Sequence, residues 1–316
     1  MKKKITFFLK WSLLVLVITA IIIKIGFEID NYNYMKKLEG MKNELEINIE
    51  SSIKHEFLKV NSCEIHYYIS GIQNKNTIVF LHPAFSDHRA FDQQIDYFSD
   101  SYKVITIDLI GHGLSKANKS KDQIDAAAEH ISKILELENI NQTHLVGVSM
   151  GSLIAQYYAI QYPDKVKSLS ALGGYTINKT NKEIEKAQRG SNLGLIFRAI
   201  FSMDAFRKKT ALITCKSEKG QALFYRTTSH YERKSFMVMQ GLQNVIADRN
   251  NIDINYPTLV MAGEFDIELA LKMSKEWHLG VENSEYQIFE NAGHCANIDK
   301  PLAFNKIVKE FIDKNN

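Results

Sequence analysis

The stretch Thr143-His144-Leu145-Val146-Gly147-Val148-Ser149-Met150-Gly151-Ser152, continued by Leu153-Ile154-Ala155-Gln156-Tyr157-Tyr158-Ala159-Ile160-Gln161-Tyr162-Pro163, decides how this chain is read. Thr143–Val146 is a short continuous apolar run, the pattern of a strand buried on both faces. Ser152–Tyr162 has the pattern of a helix, and Pro163 ends it. Between them, Gly147-Val148-Ser149-Met150-Gly151 must turn sharply, and its glycines relieve the crowding of such a turn. Ser149 is thereby presented at a helix N-terminus, where developing negative charge is favoured. A G-x-S-x-G match alone carries modest weight; its place between strand and helix raises it.

The same alternation extends on both sides. Phe57–Val60 and Glu64–Ile69 are β-rich runs separated by Asn61-Ser62, the pattern of a hairpin. Thr77–Leu81, Val104–Ile107, Val166–Leu172, Thr258–Ala262 and Glu285–Phe289 are further strands, and 123–137 and 302–311 are helical. Apolar strands alternating with helices predict an α/β fold with a mostly parallel sheet of eight strands, covered on both faces. Between about Tyr175 and Ile254 the alternation fails. Helical stretches around Lys182–Gln188, Leu193–Phe206 and Gly220–Tyr225 carry no clear strand, which predicts an insertion over the end of the sheet.

The N-terminus is a separate problem. Lys2, Lys3, Lys4 and Lys10 precede an apolar run from Trp11 to Ile23, and Lys24 interrupts it before Ile25, Gly26 and Phe27. With Lys10 and Lys24 reaching the two interfaces, a helix from Ile5 to Phe27 would be about 35 Å long and span a bilayer. No A-x-A-like site follows, so an uncleaved signal anchor over residues 1–27 is preferred to a cleaved signal peptide. The lysines lie before the helix and Glu28 and Asp30 after it, which places the N-terminus in the cytoplasm and the rest outside, as a single-pass protein of the cell membrane. Residues 28–53, with Leu38, Met41, Leu45 and Ile49 at roughly helical spacing, read as a juxtamembrane helix or stalk.

The 316 residues carry a formal net charge of +3, with 24% charged and 45% hydrophobic residues. That is a globular composition, and nothing in it suggests a nucleic-acid binder. The three cysteines, Cys63, Cys215 and Cys295, make no disulfide framework and read as buried small side chains.

A serine hydroxyl needs a base to act as a nucleophile. Of ten histidines, His294 stands in the loop after the last strand, from which it can reach over the sheet toward Ser149. His144 lies on the serine's own strand and reads as a core residue; His82 and His112 read as structural. The base needs an orienting carboxylate. Asp266 follows the strand Thr258–Ala262 at the same sheet end, giving the chain order Ser149, Asp266, His294. Glu264 and Asp248 are the competing acids, and a helix-capping role is the alternative reading of Asp266.

With these residues in place, the chain resembles the α/β-hydrolase superfamily, in its capped esterase and lipase-like branch, from about Phe57 to Phe311. Four motifs carry the resemblance: Leu81-His82-Pro83-Ala84-Phe85, Asp108-Leu109-Ile110-Gly111-His112-Gly113-Leu114-Ser115, Gly147–Gly151, and the Asp266/His294 pair. The resemblance implies an oxyanion hole made by the backbone N–H groups of Ala84 and Met150, with Phe85 as the alternative to Ala84 and a candidate for the pocket wall. The family's usual glycine after the histidine is Pro83 here, which removes one donor and fixes φ. The lost N–H is not the one assigned to the oxyanion. The resemblance further implies a core of 54–174 and 255–316, a helical cap of 175–254 shaping an acyl pocket, no metal or organic cofactor, and a small-molecule or lipid ester substrate. Lipases, thioesterases and carbon–carbon bond hydrolases share this machinery, and a non-catalytic ligand-binding or signalling protein on the same fold is the reading from another class.

Overall fold

The computed structural model describes residues 2–61, 63–118, 122–249, 252 and 254–316, with backbone alone for 2–10, 184–185 and 187–192. Ser62 of the expected hairpin turn lies outside the described residues, as do the side chains of Lys2, Lys3, Lys4 and Lys10.

Eight strands form one sheet: β1 (Lys54–Val60), β2 (Cys63–Ser70), β3 (Thr77–Leu81), β4 (Lys103–Ile107), β5 (Thr143–Val148), β6 (Val166–Leu172), β7 (Thr258–Gly263) and β8 (Ser284–Phe289). Their order is β1-β2-β4-β3-β5-β6-β7-β8. The pairs β1/β2 and β2/β4 are antiparallel and every other pair is parallel. The short apolar runs make this sheet because each strand is buried on two faces. Val79, Leu81, Ile105, Leu145, Leu169 and Val260 point into one core layer, with the helices Ala127–Leu137 and Met150–Gln161. Phe80, Val104, Val146, Leu172, Leu259 and Met261, at alternate positions of the same strands, point into the other, with the helices Asp92–Ser99 and Pro301–Lys314. The period of two along each strand sorts these side chains between the layers. Each fully buried aliphatic or phenyl side chain contributes about 1.5–3 kcal/mol.

The parallel register aligns the strand ends. Leu81 pairs with Gly147, Val148 with Leu172, Leu172 with Met261, and Gly263 with Phe289. The loops after β3, β5, β6, β7 and β8 therefore leave the sheet along one edge, the carboxyl edge where open α/β sheets hold their ligands.

Among the described residues, four α-helices, Lys182–Phe201, Met203–Thr214, Glu218–Thr227 and Leu242–Val245, and a 3₁₀ stretch at Arg233–Gly241 stand between β6 and β7. The sequence pattern runs Leu193–Phe206 together, but the structure breaks it at Ser202. That residue is extended (φ −152°), and its Oγ accepts the Ala205 N–H at 3.3 Å, capping the next helix. At the N-terminus one helix runs unbroken from Lys2 to Gly40, so residues 28–40 are helical and continuous with the apolar run. Gly40 ends it, and after a short 3₁₀ turn at Lys42–Glu44 the chain is no longer helical at Leu45–Ile49. Trp11–Gly40 is long and apolar enough to cross a membrane, and its most apolar window is wholly unburied. The helix Asp92–Ser99 is absent from the sequence reading because it is short, with Ile95 and Phe98 its main buried apolar residues.

Candidate active site

β5 ends at Val148, and the helix Met150–Gln161 begins two residues later, so Ser149 makes the whole turn. Its backbone adopts φ 52°, ψ −119°, a region that a residue with a Cβ enters only when its surroundings enforce it, at a cost of about 1–3 kcal/mol. The surroundings are specific. The Ser149 N–H donates to Leu172 O at 2.7 Å. The Ser149 carbonyl accepts from the Ser152 N–H at 2.9 Å and the Ser152 hydroxyl at 2.6 Å. The flanking glycines are required by contact: a Cβ on Gly147 would stand 2.5 Å from Gly151 O, and one on Gly151 would stand 1.9 Å from Leu81 O. Ser149 itself is half-buried.

Leu172, which fixes the Ser149 backbone, is followed by Gly173 at φ +63°, and the imidazole of His294 lies directly over that glycine. A Cβ there would stand 2.7 Å from His294 Cε1 and 2.8 Å from Nδ1. His294 Nδ1–H donates to Asp266 Oδ1 at 2.8 Å, which leaves Nε2 as the ring nitrogen free of its proton in the neutral form. Asp266 Oδ1 also accepts the Ile267 N–H at 2.7 Å, while Oδ2 is buried without a partner among the described residues. Burial disfavours the imidazolium, but the Asp266 carboxylate and its hydrogen bond outweigh that and raise the His294 pKa from 6.5 to about 9. The structure thus brings Asp266 and His294 into contact, while Ser149 is bonded through its backbone to Leu172, whose neighbour Gly173 underlies His294. Among the described residues Ser149 Oγ has no hydrogen-bond partner; such bonds commonly tighten only when substrate is bound.

The competing acids are engaged elsewhere. Glu264 accepts the Asn291 N–H at 2.8 Å, and Asp248 accepts from Thr180 N and Oγ1 at 2.7 and 2.9 Å. His82 is fully buried and donates through Nδ1 to Pro83 O at 2.8 Å while Nε2 accepts the Leu109 N–H at 3.0 Å, so it joins the β3 and β4 loops as a neutral ring. Its burial lowers its pKa. His112 is buried beside it and pushed down to about 3 by burial and by His82. His144 bonds Ser168 Oγ at 2.7 Å within the sheet. Asp108 accepts from His88 Nδ1 and the Leu114 N–H, and a Cβ on Gly113 would strike its carboxylate at 2.1 Å.

The loop containing Pro83 closes. The Pro83 carbonyl accepts from His82 Nδ1 and from Ser86 Oγ at 2.9 Å, and Phe85 takes φ +69°. The Phe85 ring packs on Phe206, Tyr231 and Phe236, at centroid distances of 5.2, 5.1 and 6.0 Å, all from the segment between β6 and β7. Ala84 is half-buried against the core and Met150 is buried at the helix start.

Two contributors escaped the sequence reading. Gly173 could have been found from the Gly173-Gly174 pair directly after a strand. Asp299 carried no signal. Its Oδ2 accepts the N–H groups of Gly293 and Lys216 at 2.8 and 2.7 Å, and its Oδ1 accepts the Ser217 N–H and hydroxyl at 2.9 and 2.6 Å. Together with Cys295 N–H to Thr214 O at 3.1 Å, it joins the His294 loop to the end of the helix Met203–Thr214. Cys63, Cys215 and Cys295 are buried thiols that form no disulfide. Among the described residues no three His, Cys, Asp or Glu side chains are grouped to hold a metal ion.

Residues 76–195 match the family model of the alpha/beta hydrolase fold. The chain is 25% identical to monoacylglycerol lipase ABHD6 of Bos taurus over 256 residues, covering 76% of each chain. It is 24% identical to 3-oxoadipate enol-lactonase 1 of Acinetobacter baylyi over 250 residues, covering 77% of this chain and 91% of the other. Among solved structures it resembles a membrane phospholipase A described as a bacterial virulence factor, with TM-score 0.65 and 19% identity, covering 99% of each chain. The eight-stranded sheet, the serine turn at its carboxyl edge and these likenesses agree that the chain has the alpha/beta hydrolase fold.

Proposed function

We propose that this protein is a serine hydrolase that cleaves a carboxylic ester, or a related acyl bond, through an acyl-enzyme intermediate. The observation that carries the reading is the His294–Asp266 pair over Gly173, whose neighbour Leu172 holds the backbone of Ser149. In this reading Ser149 Oγ attacks the carbonyl carbon and His294 Nε2 takes its proton. His294 then returns that proton to the leaving oxygen, and a water molecule repeats the sequence to free the acid. Asp266 holds the tautomer and stabilises the imidazolium. The N–H groups of Ala84 and Met150 stabilise the oxyanion, the latter aided by the helix N-terminus; one such donor is worth about 3–4 kcal/mol. Phe85 forms part of the pocket wall beneath a cap of residues 175–254, and residues 54–174 and 255–316 form the core.

Residues 1–27 anchor the enzyme as a single membrane span, with the catalytic domain on the extracytoplasmic side and residues 28–53 joining the two. The unburied apolar helix supports this, as does the match with the phospholipase, which extends over nearly the whole chain. Lipid esters presented at a membrane are then the favoured substrates. A panel of p-nitrophenyl esters of increasing acyl length tests the reading with the full-length protein in detergent micelles and its Ser149→Ala variant. Hydrolysis by the wild type that is lost in the variant supports it. Equal rates for the two proteins, or turnover only of carbon–carbon bonds such as some relatives of this fold are named for, would overturn it.

A further inference from the structure

The N-terminal helix contacts three helices of the segment between β6 and β7 in order of distance from its apolar end. Phe27 meets Phe197 edge-on at 6.4 Å, and the Arg198 guanidinium lies 6.0 Å from the Phe27 ring. One turn on, Asp30 pairs with Lys208 at 2.7 Å. Tyr34 then packs on Tyr225 at 5.4 Å, and Lys37 pairs with Glu218 at 2.7 Å. The ten residues from Phe27 to Lys37 rise about 15 Å. The helix thus grades its neighbours by depth: Lys182–Phe201 lies nearest the apolar run, Met203–Thr214 next, and Glu218–Thr227 farthest.

The nearest helix carries an exposed apolar stripe. Leu193, Ile196, Phe197 and Ile200 are 70, 39, 45 and 63% exposed, whereas Leu195 and Ala199 on the opposite side are buried in the cluster with Phe206 and Tyr231. Positions 193, 196, 197 and 200 share one face of a helix, spanning roughly 100° of arc. All four lie within about 6 Å of Phe197 along the helix axis, hence near the depth of Phe27. The earlier turns of the same helix expose Lys182, Glu183 and Lys186 instead. In the membrane-anchored orientation proposed above, on which this inference rests, Phe27 marks the boundary between hydrocarbon and headgroups.

We infer that this stripe is a second membrane contact: Leu193, Ile196, Phe197 and Ile200 insert into the leaflet surrounding the anchor, with the last turns of the helix in the interface and its first turns, at Lys182 and Lys186, rising out into water. The occupant is the lipid surface because the stripe continues the apolar surface of the anchor through the Phe27–Phe197 contact. An amphipathic helix buries its apolar face to about 5–10 Å in this way. Anchor and stripe together give two attachment points, which fix the rotation of the domain about the anchor axis; one helix alone leaves it free.

The test uses full-length protein in vesicles of phosphatidylethanolamine and phosphatidylglycerol. A nitroxide is placed at one introduced cysteine at a time: Ile18→Cys in the anchor, Leu193→Cys, Phe197→Cys or Ile200→Cys in the stripe, and Lys182→Cys as the water reference. The native cysteines are buried and do not compete. Relaxation by oxygen, which partitions into lipid, is compared with relaxation by a water-soluble nickel chelate, and fluorophosphonate labelling of each sample checks that the fold is retained. The expected result is oxygen-dominated relaxation at 18, 193, 197 and 200, and nickel-dominated relaxation at 182. A lipid signal at 18 with a water signal along the stripe overturns the inference and leaves the anchor standing. Exclusion of both reagents at the stripe marks a protein contact and also overturns it. A water signal at 18 overturns the anchor and the stripe together.

Discussion

Gly173 and His294 occupy contiguous space: a methyl group at Gly173 would stand 2.7 Å from His294 Cε1 and 2.8 Å from Nδ1. The glycine is also held at φ +63°, where an alanine is strained. Gly173→Ala must therefore push the imidazole off the floor of the site while leaving Ser149, Asp266 and the core untouched. A shift of about 1 Å in a catalytic group lowers turnover on the order of 10²-fold. The expected result is that loss in kcat with KM for short esters little changed and only a small drop in Tm. Unchanged kcat would place the working base elsewhere.

The His294 pKa sets the pH dependence. The imidazole serves as base only when neutral, and Asp266 raises its pKa from 6.5 to about 9. kcat/KM then climbs with pH from neutrality through about 9. Stability runs the other way. A folded pKa above the unfolded one means that the pair stabilises fully below about 6.5 and loses that contribution as pH rises through about 9. Asp266→Asn should move the kinetic midpoint back toward 6.5 and lower kcat by roughly 10⁴-fold, because the tautomer is no longer held. A pH–rate profile of both proteins checks this.

Asp299 gathers four donors, three of them backbone N–H groups, from the His294 loop and from residues 216–217. Asp299→Ala strands these donors in a partly buried site. The expected cost is about 2–3 kcal/mol of stability, since bonds to a charged acceptor are worth about 1.5–3 kcal/mol each and water recovers part of the loss. Because Gly293 precedes His294, kcat should also fall by at least about tenfold. Thermal melts and ester kinetics on one preparation separate the two effects.

The elbow glycines make a sharper structural test. A Cβ on Gly151 would stand 1.9 Å from the Leu81 carbonyl, and one on Gly263 would stand 2.0 Å from Gly293 O. Backbone cannot yield as a flexible side chain can, so Gly151→Ala and Gly263→Ala should each prevent accumulation of folded protein. Alanine at Gly40, which has nothing within 4 Å, should be tolerated. Soluble yield after detergent extraction distinguishes them.

What was legible in the sequence followed from period and order. The strands were visible because each is apolar on two faces, and β6 falls where the pattern places it, at Val166–Leu172. Ser149, Asp266 and His294 stood out because each follows a strand at the same sheet edge. The supporting contacts were not legible. Asp299 acts through four donors, three of them from residues 216–217 far away in sequence, and a lone aspartate at the end of a one-turn helix has no local signature. The break at Ser202 was hidden because apolar residues continue on both sides of it. The junction at residue 27 was drawn where composition changes, yet the helix crosses it without interruption to Gly40, because polarity alters which solvent surrounds a helix without ending it.

The most direct measurement is peptide mapping by mass spectrometry after reaction with a fluorophosphonate, which forms a stable adduct only with an activated serine. The expected result is one phosphonylated residue, Ser149, formed faster as pH rises toward about 9 and absent from Ser149→Ala and strongly slowed in His294→Ala. An adduct on another serine, or none on the folded wild-type protein, would contradict the assignment of Ser149 as nucleophile.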